Sequence, residues 1–343
     1  MTVHCFTSAS FSYLAKARVL GTTLKRFHPD WMFSLCLTDL EPPGFAFDPA
    51  EEPFDRIIWS HELPIENPPG WLFKHEVVEA CTGVKGPALK LLLDEGADKV
   101  FYLDPDIAVF GSLTPLVDML DTASILLTPH QLTPEASTQA IADNEICSLS
   151  HGTYNLGFLG VRNDVAGQRM AAWWNDRLLD HCVDDRANGV FVDQKWCDLI
   201  PAMFDNVMIV RDPGYNVASW NLSNRKIAID ASGDCLVNGS PMRFYHFTKL
   251  GPIGDTMTRK YAKDNVEVYE LWSWYKRTVD ELAESRIPSG WWAYGQFDNG
   301  VKIPRSARLL YRAREDLTEK YPNPFDANGA SFFSWLRENG HIA

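Results

Sequence analysis

The sequence predicts an α/β protein built on a doubly wound, mostly parallel sheet, with a mostly helical extension at the C-terminal end. Three observations predict it. Short apolar runs alternate with amphipathic stretches along residues 1–252, the order expected when strands and crossover helices follow one another. The run ending at Leu103 is apolar without alternation, as expected of a strand covered on both faces. From about Thr256 the apolar residues Val268, Leu271, Tyr275, Val279 and Leu282 recur at helical spacing instead.

The elements follow in order. "TVHCF" is a first strand, and Thr7-Ser8-Ala9-Ser10 reads as a helix N-cap cluster before the helix "FSYLAKARVLGTTLKRF". "WMFSLCLTD" and "FDRIIWS" read as the second and third strands. "GPALKLLLDEGADKVFYLDPD" reads as a helix, a glycine turn and a strand, and "TYNLGFLGVRN" as another strand. "DVAGQRMAAWWNDRLLDHC" is an amphipathic helix with Met170, Trp174 and Leu178 on one face. "FVDQKWCDLIPAMF" reads as a short helix and "NVMIVRD" as a strand. Asn238-Gly239, between two strand-like runs, predicts a hairpin. These patterns divide the chain into residues 1–255, a catalytic α/β unit, and residues 256–343, a helical, aromatic-rich extension.

Composition narrows the function. The 343 residues are 45% hydrophobic and 22% charged, an ordinary globular balance. A net charge of -13 argues against a nucleic-acid partner, which needs a basic footprint. The seven cysteines are scattered and form no CxxC pair, which points to reduced thiols. The N-terminal stretch shows no basic leader, and no run approaches the roughly 20 apolar residues of a membrane span. The expected location is the cytoplasm, at most at the inner face of the membrane, with "RSARLLYRAR" a candidate segment for membrane contact.

The chemistry centres on "YLDPDIAVF". Asp104 and Asp106 end an apolar strand, and ligands of open α/β sheets bind outside the carboxyl ends of the strands. Two hard carboxylates around a proline suit Mg²⁺ or Mn²⁺, although Asp-x-Asp alone also fits a solvated turn. His246, ending the apolar run in "FYHFTKLGP", would complete a mixed nitrogen and oxygen site better suited to Mn²⁺ than to Ca²⁺; a lone histidine of this kind also fits a satisfied core residue. Asp193 and Gln194 follow an apolar pair and could face a cleft, or Asp193 could cap the helix after it. Asn155 lies inside an apolar strand, where its amide needs partners from the protein or a hydroxyl-rich ligand. Gly157 beside it permits close approach of a ligand or another backbone. Asn216, Trp220, Asn221 and Arg225 could line the acceptor side of a cleft or form a hydrogen-bonded loop.

In this order YLDPD, YNLGF, VDQKW and YHFTK resemble the GT-A glycosyltransferases that use nucleotide sugars, especially the retaining transferases of glycosyltransferase family 8. The resemblance covers residues 1–252; the tail from "WWAYGQFDNGVKIP" is similar to extensions of bacterial transferases that build surface polysaccharides. It implies a Rossmann-like GT-A domain and a metal-dependent transfer of sugar from a nucleoside diphosphate sugar, a UDP-sugar first, to a glycan or lipid-linked glycan. It implies Mn²⁺ or Mg²⁺ held by Asp104, Asp106 and His246, with Asp104 also touching the ribose. It further implies that Lys90 contacts the diphosphate or donor sugar, that Asn155, Asp193 and Gln194 form the donor-sugar pocket, and that Phe6, Thr7 and Ser8 bind the nucleoside. Asp193 and Gln194 are then the catalytic pair, and Lys249 or Lys90 meets the leaving diphosphate. Two features depart from the family. No acidic residue follows the first strand, and Lys249 lies closer to the histidine than the family's phosphate lysine.

Two other classes compete. A sugar-phosphate nucleotidyltransferase would share the sheet and the carboxylate-bound metal, but "TSASFSYLAKAR" lacks its glycine-rich basic loop. A carbohydrate-binding protein with a structural metal would use Trp272, Trp274, Trp291, Trp292 and Tyr294 as stacking surfaces, and would hold sugar without nucleotide. Most of these aromatics also fit ordinary core packing, and Trp291-Trp292 is the pair most suited to an acceptor or membrane-surface contact.

Overall fold

A computed structural model describes residues 2–342. Its centre is a sheet of seven strands: β1 (Val3–Ala9), β2 (Met32–Leu37), β3 (Arg56–Trp59), β4 (Lys99–Leu103), β6 (Ile125–Pro129), β7 (Tyr154–Arg162) and β8 (Val207–Ile209). The spatial order is β8-β6-β7-β4-β1-β2-β3. All neighbours are parallel except β7, which runs antiparallel to both β4 and β6. A two-stranded ribbon stands beside this sheet, with β5 (Ile107–Val109) antiparallel to β9 (Phe244–His246).

Alternate side chains of each strand feed two cores, as the two-residue period of a strand requires. Phe6, Val100, Tyr102, Leu159 and Val161 point to one face, where helices Lys85–Asp94 and Val165–His181 cover them. Met170, Trp174 and Leu178 are the buried stripe of the second helix, and Asp164 caps it by accepting from the Gly167 N–H at 2.9 Å. Cys5, Phe101, Leu103 and Phe158 point to the other face, under helix Leu14–Phe27. The Thr7–Ser10 cluster differs from its reading. β1 runs on to Ala9, and Ser10 precedes a short 3₁₀ turn without a side-chain cap bond. The hairpin forms as read: Asn238 and Gly239 both have positive φ, the geometry of a type I′ turn.

Residues 252–281 form two helices, Pro252–Ala262 and Val266–Glu281. They share one apolar cluster with β9, where Phe247 stacks on Tyr275 at 3.9 Å and Trp272 donates to the Tyr245 hydroxyl at 3.0 Å. No helix among the described residues is long and apolar enough to cross a membrane.

The basic segment "RSARLLYRAR" is tied to the protein through its arginines, while Arg305 and Leu309 stay exposed. In helix Arg305–Ala313, Arg305 pairs with Glu76, Arg308 donates to the Phe73 and His75 carbonyls at 2.9 and 2.8 Å, and Arg312 reaches Glu79 at 2.9 Å. Arg308 thereby satisfies the Phe73 carbonyl at the end of the helix Pro68–Phe73 and the His75 carbonyl just beyond it. Arg308 is buried, so its replacement by Leu leaves those carbonyls without donors. Arg308→Leu should cost about 2–4 kcal/mol, read as a lower urea midpoint at unchanged slope.

Candidate active site

The carboxyl end of β4 delivers Asp104, and the turn into β5 delivers Asp106. The pairing of β5 with β9 sets His246 opposite Ile107, so histidine and aspartates converge. His246 Nε2 lies 2.9 Å from Asp106 Oδ1 and 3.6 Å from Asp104 Oδ2. One ligand atom from each of the three lies within 4.8 Å of the others. On its far side His246 Nδ1 meets the amide oxygens of Asn155 at 3.2 Å and Asn216 at 3.3 Å. Those oxygens can only accept, so they fix the proton on Nδ1 and direct the Nε2 lone pair at the carboxylates. That is the arrangement of a metal-bound imidazole with its supporting acceptor. The residues present therefore fit a divalent ion. Burial works against a charged His246, but Asp106 outweighs it and raises the imidazole pKa; the same contact lowers that of Asp106 against its own burial.

Gly157 makes this approach possible. A Cβ there would stand 2.5 Å from His246 Nδ1 and 2.7 Å from Asn155 Oδ1. The close approach expected at this glycine is thus made by a side chain of the same protein. Asn155 Oδ1 also accepts from the Gly157 N–H and from Asn216 Nδ2, each at 2.9 Å. Its Nδ2 donates to His130 Nε2 at 3.1 Å. Burial lowers His130 to about 4, so the ring is a neutral acceptor at that nitrogen.

Asp193 does not cap a helix. Its Oδ2 accepts from Lys85 Nζ at 2.7 Å, and the same ammonium lies 3.0 Å from Asp104 Oδ1 and 3.3 Å from the Leu156 carbonyl. Burial disfavours the charged lysine, but Asp104 and Asp193 together hold its pKa well above the usual range. Burial pushes the Asp193 carboxyl up, and Lys85 pulls it only part of the way back. Val192, just before it, has φ 37, an outlier for a β-branched residue. Gln194 Oε1 accepts from the Leu156 N–H at 3.1 Å, and its amide donates to the His151 carbonyl at 3.1 Å.

Asp104, Asp106, Asn155, Asp193, Gln194, His246 and Lys249 all line one cavity of about 440 Å³. Lys90 does not: it pairs with Asp94 on the outer side of its helix, whereas Lys85 is among the walls. Phe6, Thr7 and Ser8 are not among the walls either. All three are buried in β1, Phe6 against Tyr102 and Ser8 bonded to the Cys81 carbonyl at 2.6 Å. The "YNVASWNLSNRK" cluster divides. Trp220 lines the cavity, edge-on to His246, while Asn221 and Arg225 bond to loop backbone. Lys85 was open to detection, because it shares a helical stripe with Ala88, Leu89 and Leu92; a lysine on an apolar stripe needs a buried partner.

No known family profile matches the chain. It is similar to two proteins of Bacillus subtilis (strain 168): the uncharacterized protein YfnF, 28% identical over 173 residues, 50% of this chain and 56% of the relative, and the uncharacterized protein YfnD, 26% identical over 213 residues, 61% and 62% of the two chains. The matched stretches span less than two thirds of the length of either relative. Among solved structures it is similar to the galactosyltransferase LgtC in complex with donor and acceptor sugar analogs, at 16% identity and a TM-score of 0.46, over 84% of this chain and 98% of the other.

Asp106→Ala should abolish Mn²⁺ binding by calorimetry while far-ultraviolet circular dichroism stays unchanged. Gly157→Ala should displace His246 and weaken Mn²⁺ by about 10–100-fold, the usual size of a disturbed supporting shell.

Proposed function

We propose that this chain is a metal-dependent GT-A glycosyltransferase that moves a sugar from a nucleoside diphosphate sugar to an acceptor hydroxyl, with retention of anomeric configuration. One observation carries the reading: a metal-competent Asp104, Asp106 and His246 set shares a cavity with the Lys85–Asp193 pair, Gln194 and Asn155. A metal centre alone would also suit a nucleotidyltransferase. The segment after the first strand, "TSASFSYLAKAR", lacks the glycine-rich basic loop of that class, which favours the transferase.

Asp104, Asp106 and His246 would hold Mn²⁺ or Mg²⁺, which when bound offsets the charge on a diphosphate. Gln194, pinned by the Leu156 N–H and the His151 carbonyl, would offer its second amide N–H to the donor sugar, while Asn155, whose amide is taken up by Gly157, Asn216 and His130, would act by holding His246 in place. Asp193, held by Lys85, places a negative charge where positive charge develops at the anomeric carbon. Lys249 stands at the rim of the same cavity.

The case for retention is geometric. An inverting enzyme needs a free carboxylate to take the acceptor proton. Outside the metal set, the carboxylates described in this cavity are Asp143 and Asp193. Asp143 is engaged by Lys260 and by the Tyr261 hydroxyl at 2.6 Å, and Asp193 by Lys85. In the retaining alternative the acceptor attacks on the leaving-group side, and a departing phosphate oxygen takes its proton.

Thermal unfolding with UDP, GDP, ADP and dTDP-rhamnose, each with and without Mn²⁺, tests the reading. One nucleotide should raise the melting temperature by a few degrees only when metal is present; no rise with any of them would reject it. Asp193→Asn should keep that nucleotide effect and lower transfer by about 10²–10³-fold, the typical loss of one electrostatic stabiliser.

A further inference from the structure

A second cavity, of about 590 Å³, adjoins the first, and Val78, His151, Phe191, Val192 and Lys249 belong to the walls of both. Its size is within the ~300–1,000 Å³ of ligand pockets. Its far wall comes from the C-terminal segment, which supplies Trp292, Lys302 and Arg305.

The charge of this wall runs against that of the molecule. The chain carries a net -13, yet Arg186, Lys249, Lys302, Arg305 and Arg308 here outnumber Glu76, Glu79 and Asp184. The arginines are already engaged: Arg186 with Asp184, Arg305 with Glu76, and Arg308 with backbone carbonyls. Lys249 and Lys302 are both exposed, and no carboxylate pairs with either among the described residues. Lys249 also holds φ 54, a conformation that side-chain-bearing residues rarely adopt, at the junction of the two cavities. Trp292 contributes an aromatic ring, and its indole N–H is buried without a partner.

We propose that this second cavity binds the acceptor, and that it selects a sugar carrying an anionic group, phosphate or carboxylate. Lys249 and Lys302 hold the anion while the sugar ring lies on Trp292. That the bound sugar is an acceptor rests on the transferase reading above; the site itself does not. Two unpaired ammonium groups on the walls of one cavity can form ion pairs with an anionic group that a neutral sugar cannot make.

The test is calorimetric titration of the full chain at low salt with glucose, glucose 6-phosphate, glucuronate and inorganic phosphate. At least one anionic sugar should bind about tenfold tighter than glucose, the worth of one charge-assisted bond; which one does so distinguishes phosphate from carboxylate. Lys302→Gln, at an exposed position of the second cavity alone, should remove most of that preference and leave glucose unchanged. Trp292→Leu should weaken all three sugars together. Equal affinity for glucose and both anionic sugars, or a Lys302→Gln variant with the preference intact, would overturn the proposal. Inorganic phosphate binding as tightly as glucose 6-phosphate would overturn the sugar part of it. The nucleotide melts run on the same samples separate the two readings. Anionic-sugar preference without any nucleotide effect rejects the transferase and keeps the site, whereas a nucleotide effect without preference rejects this inference alone.

Discussion

One buried ammonium, Lys85, joins the parts of the candidate site. Its Nζ touches the end of β4 through Asp104, the β7 backbone through the Leu156 carbonyl, and the segment after β7 through Asp193. It also lies 4.1 Å from the centre of the Tyr102 ring. Taking a lysine out of water is expensive, and a single carboxylate would barely offset it. Two carboxylates and a carbonyl do. Lys85 stands in the first turn of its helix, where the macrodipole disfavours a cation by a few tenths of a kcal/mol. Helix stability therefore gives no reason for a lysine there, and the three partners do.

The neutral half of the site works by a different means. His246 must turn one nitrogen to the carboxylates, and only a fixed acceptor on the other nitrogen forces that. Asn155 and Asn216 supply it. Asn216 holds φ 51 to reach inward, a left-handed conformation that asparagine tolerates better than most residues. Gly157 clears the space. A chain of amides needs every member satisfied, and here Thr128, His130 and the Gly157 N–H complete it. Rigidity follows, because no member can turn without stranding another.

Much of this was legible in the sequence. Most strand and helix positions followed from apolar periodicity, but β6 (Ile125–Pro129) was not among the strands read, and the candidate metal set followed from two aspartates at a strand end and a histidine closing another apolar run. The direction of β7 was not legible, because an apolar run reads the same whichever way it crosses the sheet. Lys90 and Lys85 are five residues apart, about 140° around a helix. The resemblance pointed to a lysine in that stretch, and only the apolar stripe of Ala88, Leu89 and Leu92 could have chosen the face. Phe6 to Ser8 lay correctly in the first strand, but that strand is covered on both faces and buries them. The arginines of the tail have the composition of a membrane-facing helix. Their partners are carbonyls and carboxylates more than 200 residues earlier in the chain, and no local pattern records those.

The charges of the site set the order in which it can be filled. Asp104, Asp106 and Asp193 bring three negative charges and Lys85 one positive. With a neutral imidazole, two negative charges remain in a largely buried cluster, where repulsion is screened far less than at the surface. Such a cluster repels a diphosphate. A proton on His246 relieves part of the excess, consistent with the raised affinity of that ring for it. On the transferase reading proposed above, a divalent cation held by Asp104, Asp106 and His246 would supply the two positive charges that offset the rest. On that reading the same carboxylates that would exclude an anionic donor from the bare protein would make its binding conditional on metal, and an acidic protein of net charge -13 would hold a diphosphate without a basic surface.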